Sequence, residues 1–508
     1  MLCEYFKSEQ KFGSKSLCHI AQIAQRKVSK KMTFSSTAIS NIGRTVSFFM
    51  MLVMSAFVDA STVLKEQSGT MRAPEQLAAT SLPTAAALPS VSALSLDMAQ
   101  QLALANDPMS EGFRLKQEAF EREGKAATYW DNPQLATSIQ NLPTDGFRFN
   151  QEPMTQVKIG IKQALPRGNV NELNQQKFDA MGVSVSMANK ARAAWLKKQV
   201  GDDWLNWYLA HERTLLLGKE RQLLTQLLDF TESRYGQAFR DAQQQDILQV
   251  RLALLSLEDK FTAALQQQEE AKAKLSQWFG APLAGHLSPA SDVSLSSLTF
   301  GYETSANALL NELSVREPFT LLQAHPEAMQ IKLESEAEDA SLKIAREQTK
   351  PQWAIEASYG YRDDAPDGMS RANFVSIGVQ VDLPFLTQPK QDERIGAAAA
   401  RLNAKKADFR LKVNALAAQA ETYKHRLSSL SQREALYTNG LIDEVAQLAQ
   451  SLLTAYTADN GNFTDVINAN IQQIRVEEEL LRIEVEQAKT RNALAYLYLP
   501  SIDALNKQ

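Results

Sequence analysis

Residues 155–166 read TQVKIGIKQALP, and residues 373–384 read NFVSIGVQVDLP. Both carry Ile-Gly in mid-run and close on Leu-Pro. In the first, Val157, Ile159 and Ile161 alternate with Gln156, Lys158, Gly160 and Lys162. In the second, Val375, Ile377, Val379 and Val381 alternate with Ser376, Gly378, Gln380 and Asp382. A period of two is the signature of a strand whose faces meet different surroundings. The closing proline disfavours helical backbone in the residue before it, so each strand should end there.

The two strands are 218 residues apart, and so are other marks. Pro108 matches Pro326, Pro133-Gln134 matches Pro351-Gln352, and Pro166 matches Pro384. Further on, Asp246-Ile247 matches Asp465-Val466 and Leu275 matches Leu494, both at 219. An offset that holds over this span indicates a duplicated half. Each half reads helix, strand, loop, strand, very long helix, break, helix. The second strand pair is completed by Trp353, Ile355, Ala357, Tyr359 and Tyr361 on one face; the strand after Pro133 is the weakest of the four. The connecting loops, PTDGFRFNQEP and RDDAPDGMS, are polar. The alternation suits a membrane barrel strand and also a sheet with one wet face.

Lengths constrain the architecture. The helical pattern from Asn169 to Tyr235 spans about 100 Å at the usual rise, whereas Leu94–Trp130 and Asp246–Phe279 span roughly 50 Å each. Two short helices end to end therefore match one long one, and the second half repeats the scheme over 385–455, 465–498 and 316–349. Four strands cannot close a membrane barrel, and an open edge in lipid leaves backbone groups unsatisfied. Strands placed in a membrane would have to be shared among several chains. The expected fold class is mainly α with a small membrane β part: two tandem repeats giving four strands of a shared trimeric β-barrel and the long helices of an α-helical barrel.

The chain is 44% hydrophobic and 22% charged, with a net charge of −4. Residues 1–60 carry +5 and residues 61–508 carry −9. An acidic body lacks the clustered basic residues a nucleic-acid partner needs. Both cysteines, Cys3 and Cys18, precede residue 19, so no disulfide framework, thiolate metal site or cysteine nucleophile is expected beyond it. The four histidines beyond it (His211, His286, His325, His425) have no metal-ligand spacing, and no catalytic or nucleotide-binding motif is present. No enzyme activity, cofactor or metal site is expected. Arg44, the 13-residue run Val46–Val58 and small residues at Val58 and Ala60 have the layout of a cleaved secretory signal. Met32 is the expected start. The expected organisation is 1–60 extension and signal, 61–93 Ser/Thr/Ala/Pro-rich leader, 94–282 first repeat, 283–315 inter-repeat segment, 316–500 second repeat and 501–508 tail.

The ordered set of features, from about residue 94 to 500, resembles the TolC-type outer-membrane efflux protein family. The features are the duplication, the strand pair ending in Leu-Pro before a very long helix, and a helix break followed by Asp-hydrophobic, written YTADNGNFTDVINA over 456–469 in the second repeat. The resemblance implies a homotrimer with a 12-stranded barrel in outer-membrane lipid and a helical barrel in the periplasm. It also implies a periplasmic adaptor (membrane fusion protein) and an inner-membrane pump, probed first as RND-type, as partners. It would make the two breaks the tips at the periplasmic mouth. Asp465 stands where relatives carry a ring-forming acid, Asn468 where some have a second acid, and Gly461 where some have an arginine latch. Asp246, Tyr235 and Tyr456 flank the breaks. The plainer alternatives are that Tyr235 and Tyr456 are packing aromatics and that Asp465 is a helix cap. The lipid-facing residues would be Val157, Ile159, Ile161, Val375, Ile377, Val379 and Val381. The stretch NPQLATSIQNLPTDG with QALPRGN looks most like the heavy-metal efflux branch; drug efflux and type I secretion remain alternatives, as does a soluble periplasmic coiled-coil adaptor or scaffold.

Overall fold

The computed structural model describes residues 93–498 except 237–243, 281–282, 284–286, 291–294, 296–297, 299–320 and 459–460. The signal, the leader, most of the inter-repeat segment and the tail lie outside the described residues. The elements are β1 (Ala93–Leu94), α1 (Leu96–Ala105), α2 (Pro108–Ala127), β2 (Gln134–Gln140), β3 (Gln156–Ala164), α3 (Val170–Gly236), α4 (Gln244–Ser276), β4 (Ser288–Pro289), α5 (Pro326–Glu347), β5 (Gln352–Tyr361), β6 (Phe374–Asp382), α6 (Gln388–Leu436), α7 (Ile442–Thr457) and α8 (Phe463–Leu497).

The helix expected over Leu94–Trp130 is two helices. Leu94 pairs in β1, and α1 stops at Asn106. The cause is Pro108, which has no N–H to continue the ladder. It becomes the first residue of α2, capped by Asp107, whose carboxylate accepts from Met109 N at 3.3 Å. The second long helix also departs from expectation. It begins at Gln388 after a 3₁₀ turn over Pro384–Thr387, and a π turn at Tyr437–Leu441 separates α6 from α7. A π turn inserts one residue into a helix, and the offset between repeats slips by one between Pro384 and Asp465.

The 67 residues of α3 run unbroken for about 100 Å. Its Gly201 lies where α8 crosses: a Cβ there would sit 2.6 Å from Asn492 Nδ2. That amide instead donates to Lys198 O and Asp202 Oδ1 across the crossing. Around it lies the largest core, in which Trp204 and Trp207 of α3 are buried with Leu275, Phe279, Leu322, Val485 and Leu494. Trp204 donates Nε1–H to Leu94 O at 3.0 Å, pinning β1 to α3. A second core, 13 residues further along α3, joins Leu217, Leu224 and Leu227 to Val250, Leu257, Val466 and Ile467.

The sheet is antiparallel with order β2-β3-β5-β6. The strand TQVKIGIKQALP pairs with β2 of its own repeat and with β5 of the other. The helices follow the same lateral order: α2 and α4 pack on α3, α3 on α5 and α8, and these on α6, with α7 on α8. Each strand therefore continues into the helix that stands at the same place in the wall. No helix among the described residues is long and apolar enough to cross a membrane.

Candidate functional site

The register sorts the four strands into two unlike faces. Ile159 stands between Thr137 and Tyr359, with Val375 beyond; Ile161 stands between Leu135 and Ala357, with Ile377 beyond. Val157 lies between Ile139 and Tyr361, Val379 beside Ile355, and Val381 beside Trp353. One face is thus apolar across all four strands, and it is bare: Val375 is 75% and Ile377 79% exposed. All seven strand residues expected to meet lipid lie on this face. Leu135 and Ile139 belong to it too and were missed in the weak strand, although Leu135, Thr137 and Ile139 keep the period of two.

The opposite face is small and polar. Gly160, Ala354, Ser358 and Gly360 are buried on it. A Cβ on Gly160 would press to 3.2 Å from Ser358 Cβ, and one on Gly360 would overlap Gln156 Oε1. Small residues on this face bring the strands' polar side chains close together, whereas the apolar face stands open. Lys158 pairs with Glu356 at 3.5 Å across this face, and Lys162 stands directly opposite Glu356 in the register.

Where β3 passes into α3, Arg167 donates to Gln348 O at 2.7 Å and Gln352 Oε1 at 3.3 Å, and forms an ion pair with Asp382. Gly168 follows with φ +53°, its missing Cβ leaving room for Glu347 Oε2, which accepts from Asn169 N at 3.0 Å. At the far end of the sheet, Arg362 and Arg371 donate to Pro153 O and to Asn150 and Glu152 O, tying the two loops together.

At the other extremity of the helices are the two breaks. Asp465 is not the cap of α8. Asn462 is, its Oδ1 accepting from Thr464 N at 3.0 Å, because its extended backbone leaves the side chain aimed at the first free amides. Asp465 follows in the first turn, its N–H bonded to Asn462 O, and it is exposed, as is Asn468 on the next turn. Tyr456 is buried, its ring 5.1 Å from Phe463 and 6.3 Å from Phe230. Gly461 lets the chain turn back on the helix end: a Cβ would fall 2.6 Å from Tyr456 N, which leaves no space for an arginine. Asp246 is half-buried in the first turn of α4. Thr464 Oγ donates to Gln249 Oε1 at 2.8 Å, bringing the two breaks together. The side chain of Tyr235 lies outside the described residues.

Midway between these ends, His325 caps α5. Its Nδ1 accepts from Glu327 N at 3.3 Å and its Nε2 faces Tyr496 O at 3.2 Å. Tyr496 donates its hydroxyl to Glu327 Oε1 at 2.6 Å, and Lys412 of α6 pairs with the other oxygen. Burial holds the imidazole below its usual value, so the ring is neutral with its proton on Nε2. Burial also raises the carboxyls of Glu220 and Glu484, the latter with help from Glu434. Among the described residues no His/Cys/Asp/Glu group could hold a metal ion.

No family model and no curated protein matches the sequence. Solved structures match its fold. CusC, whose structures follow folding and transmembrane channel formation, is 14% identical with a TM-score of 0.64 over 79% of this chain and 91% of that one. The outer membrane protein VceC of Vibrio cholerae is 13% identical with a TM-score of 0.63, over 79% and 96%. The open-state outer membrane channel MtrE of Neisseria gonorrhoeae is 14% identical with a TM-score of 0.61, over 80% and 88%. At such identities the likeness speaks for architecture: the chain has the fold of the TolC-type outer-membrane channels.

Proposed function

We propose that this protein is the outer-membrane exit duct of a tripartite efflux system. The observation that carries the reading is the sheet: four strands with one exposed apolar face, an opposite face of small and polar residues, and two edges, β2 and β6, unpaired among the described residues. Strands of 7 to 10 residues reach about 23–33 Å, enough to cross an apolar band of roughly 25 Å. Bare edges in lipid leave several kcal/mol per unpaired group, so the edge of β6 must be met by β2 of another copy. Three copies close 12 strands, and the helix walls, in the same lateral order, close beneath them. Val157, Ile159, Ile161, Val375, Ile377, Val379 and Val381 then face lipid, and the helical barrel stands in the periplasm.

Asp465, with Asn468 and Asp246, lines the mouth of this duct, where the adaptor docks and the pump delivers cargo. The pump supplies the energy, because the duct conducts passively. Asn468 and Gly461 leave the mouth with one acidic ring and no arginine latch. An RND-type pump and heavy-metal ions are the partner and cargo to test first, on the likeness of NPQLATSIQNLPTDG to that branch. Fractionation tests the reading: a heat-modifiable trimer in the outer membrane is expected, and a freely soluble periplasmic monomer overturns it. Unchanged copper, silver, cobalt, zinc and cadmium tolerance in a deletion strain removes the metal cargo.

A further inference from the structure

The polar face of the sheet carries charges that the barrel architecture does not require. On the four strands this face presents Lys158, Lys162, Glu356 and Asp382 as its charged residues. Asp382 is engaged by Arg167 at the foot of the sheet. That leaves two ammonium groups sharing the single carboxylate of Glu356, Lys158 at a loose 3.5 Å and Lys162 directly across the ladder. One positive charge per chain is uncompensated. The remainder of the face is Gln, Ser, Ala and Gly, apart from Phe374 at its rim end, so nothing else there cancels it.

We propose that the polar face of the sheet is a basic filter, built by Lys158 and Lys162, that favours anionic solutes and anionic complexes in the membrane part of the pore. This rests on the duct reading, in which the polar face lines the lumen. A ring of like charge on a low-dielectric wall raises the local concentration of counter-ions, although at physiological salt the effect reaches only about 8 Å from each charge. The filter therefore acts on solutes passing near the wall. Ammonium groups also repel divalent cations. A metal-ion cargo delivered from below would leave without being captured by the wall.

The chain is free of cysteine after residue 18, which makes the test direct. Ser376 lies on the polar face of β6, Ile377 on the apolar face, and Met369 on the exposed loop beyond the strands. Ser376→Cys, Ile377→Cys and Met369→Cys are treated in intact cells with membrane-impermeant anionic and cationic thiosulfonates. We expect Ser376→Cys to label and Ile377→Cys to resist. The anion-to-cation rate ratio at Ser376→Cys should exceed that at Met369→Cys by about 2- to 10-fold, at or below the lower limit of what charged clefts achieve because salt screens the single uncompensated charge per chain. Adding Lys158→Gln and Lys162→Gln should return it to the Met369→Cys ratio, and Glu356→Gln should raise it. Equal ratios at Ser376→Cys and Met369→Cys, or a ratio unmoved by the lysine substitutions, overturn the filter and leave the duct standing. Labelling at Ile377→Cys with none at Ser376→Cys overturns both.

Discussion

The two places where a long helix leaves the sheet occupy equivalent positions in the repeats and are built from opposite chemistry. After Pro166 come Arg167 and Gly168; after Pro384 come Phe385 and Leu386. The first junction is clamped by hydrogen bonds to Gln348 and Gln352 and an ion pair to Asp382. The second is a 3₁₀ turn with Phe385 63% and Leu386 73% exposed. The difference follows from position. β3 lies inside the sheet, with the other repeat beside it, so polar groups find partners within the chain. β6 is an edge, with no further strand beside it among the described residues. Duplication copied the backbone, and the neighbourhood then set the side chains.

The sharpest way to break this comparison is Gly168→Val. Its left-handed φ costs a β-branched residue about 1–2 kcal/mol, and displacing Glu347 from Asn169 N adds about 1 kcal/mol. A loss of about 3 kcal/mol in urea unfolding is expected, against almost none for Leu386→Val. A fall of similar size in both would mean that the two junctions are equally constrained.

The helix caps offer a second contrast, because Asp107 and His325 are also equivalent. Asp107 is an anion paired with Arg192 at 3.1 Å, whereas His325 is a buried neutral ring. His325→Ala should cost about 2 kcal/mol, from the lost cap and the stranded Tyr496 carbonyl. The pH dependence is the finer readout. Burial lowers the folded-state value of His325 beneath the unfolded one of about 6.5. The folded chain then binds fewer protons, and stability is complete above that pH and lost as pH falls below it. Glu327, on the same helix, opposes the shift and Lys412 of α6 reinforces it. Unfolding midpoints between pH 7 and 5 should fall for the native chain and flatten for His325→Asn. An unchanged slope in that variant would assign the pH dependence to other groups.

The smallest effect belongs to the clamp itself. Arg167→Met should cost about 1 kcal/mol, since Asp382 is largely exposed and surface pairs contribute little. Phe385→Met should be neutral in the dissociated chain and destabilising in the assembled protein. Comparing melting before and after dissociation checks this, and neutrality in both forms would show that no second copy covers Phe385.

Most of the fold was legible because it is periodic. The alternation in NFVSIGVQVDLP gave both strand and face, and the constant offset placed its partner. What was not legible depends on contacts between distant residues. Arg167 reads as a loop residue until Gln348, Gln352 and Asp382 converge on it. The break at Asn106 was in plain sight at Pro108, but the helical spacing over Leu94–Trp130 runs through it, as the spacing over 316–349 runs through Pro326, where the helix in fact begins. The π turn leaves only a one-residue slip in register, which a difference in loop length can equally produce. At the second tip, Asn462 outranks Asp465 as the cap because its backbone is extended, and spacing alone does not distinguish two neighbouring capping residues.

The pairing of β3 with β5 also has a consequence in time. Its partners are far apart in sequence: roughly 190 residues of mostly helix separate Ala164 from Gln352, and synthesis at about 5–20 residues per second takes on the order of 10–40 s to produce them. Over that interval β2 and β3 form a lone hairpin, marginal in water, with an apolar face and a bare edge. High contact order of this kind slows folding and exposes the chain to aggregation. The four-stranded sheet thus cannot form until long after its first hairpin is made, and that hairpin needs a holding partner until Tyr361 arrives to meet Val157.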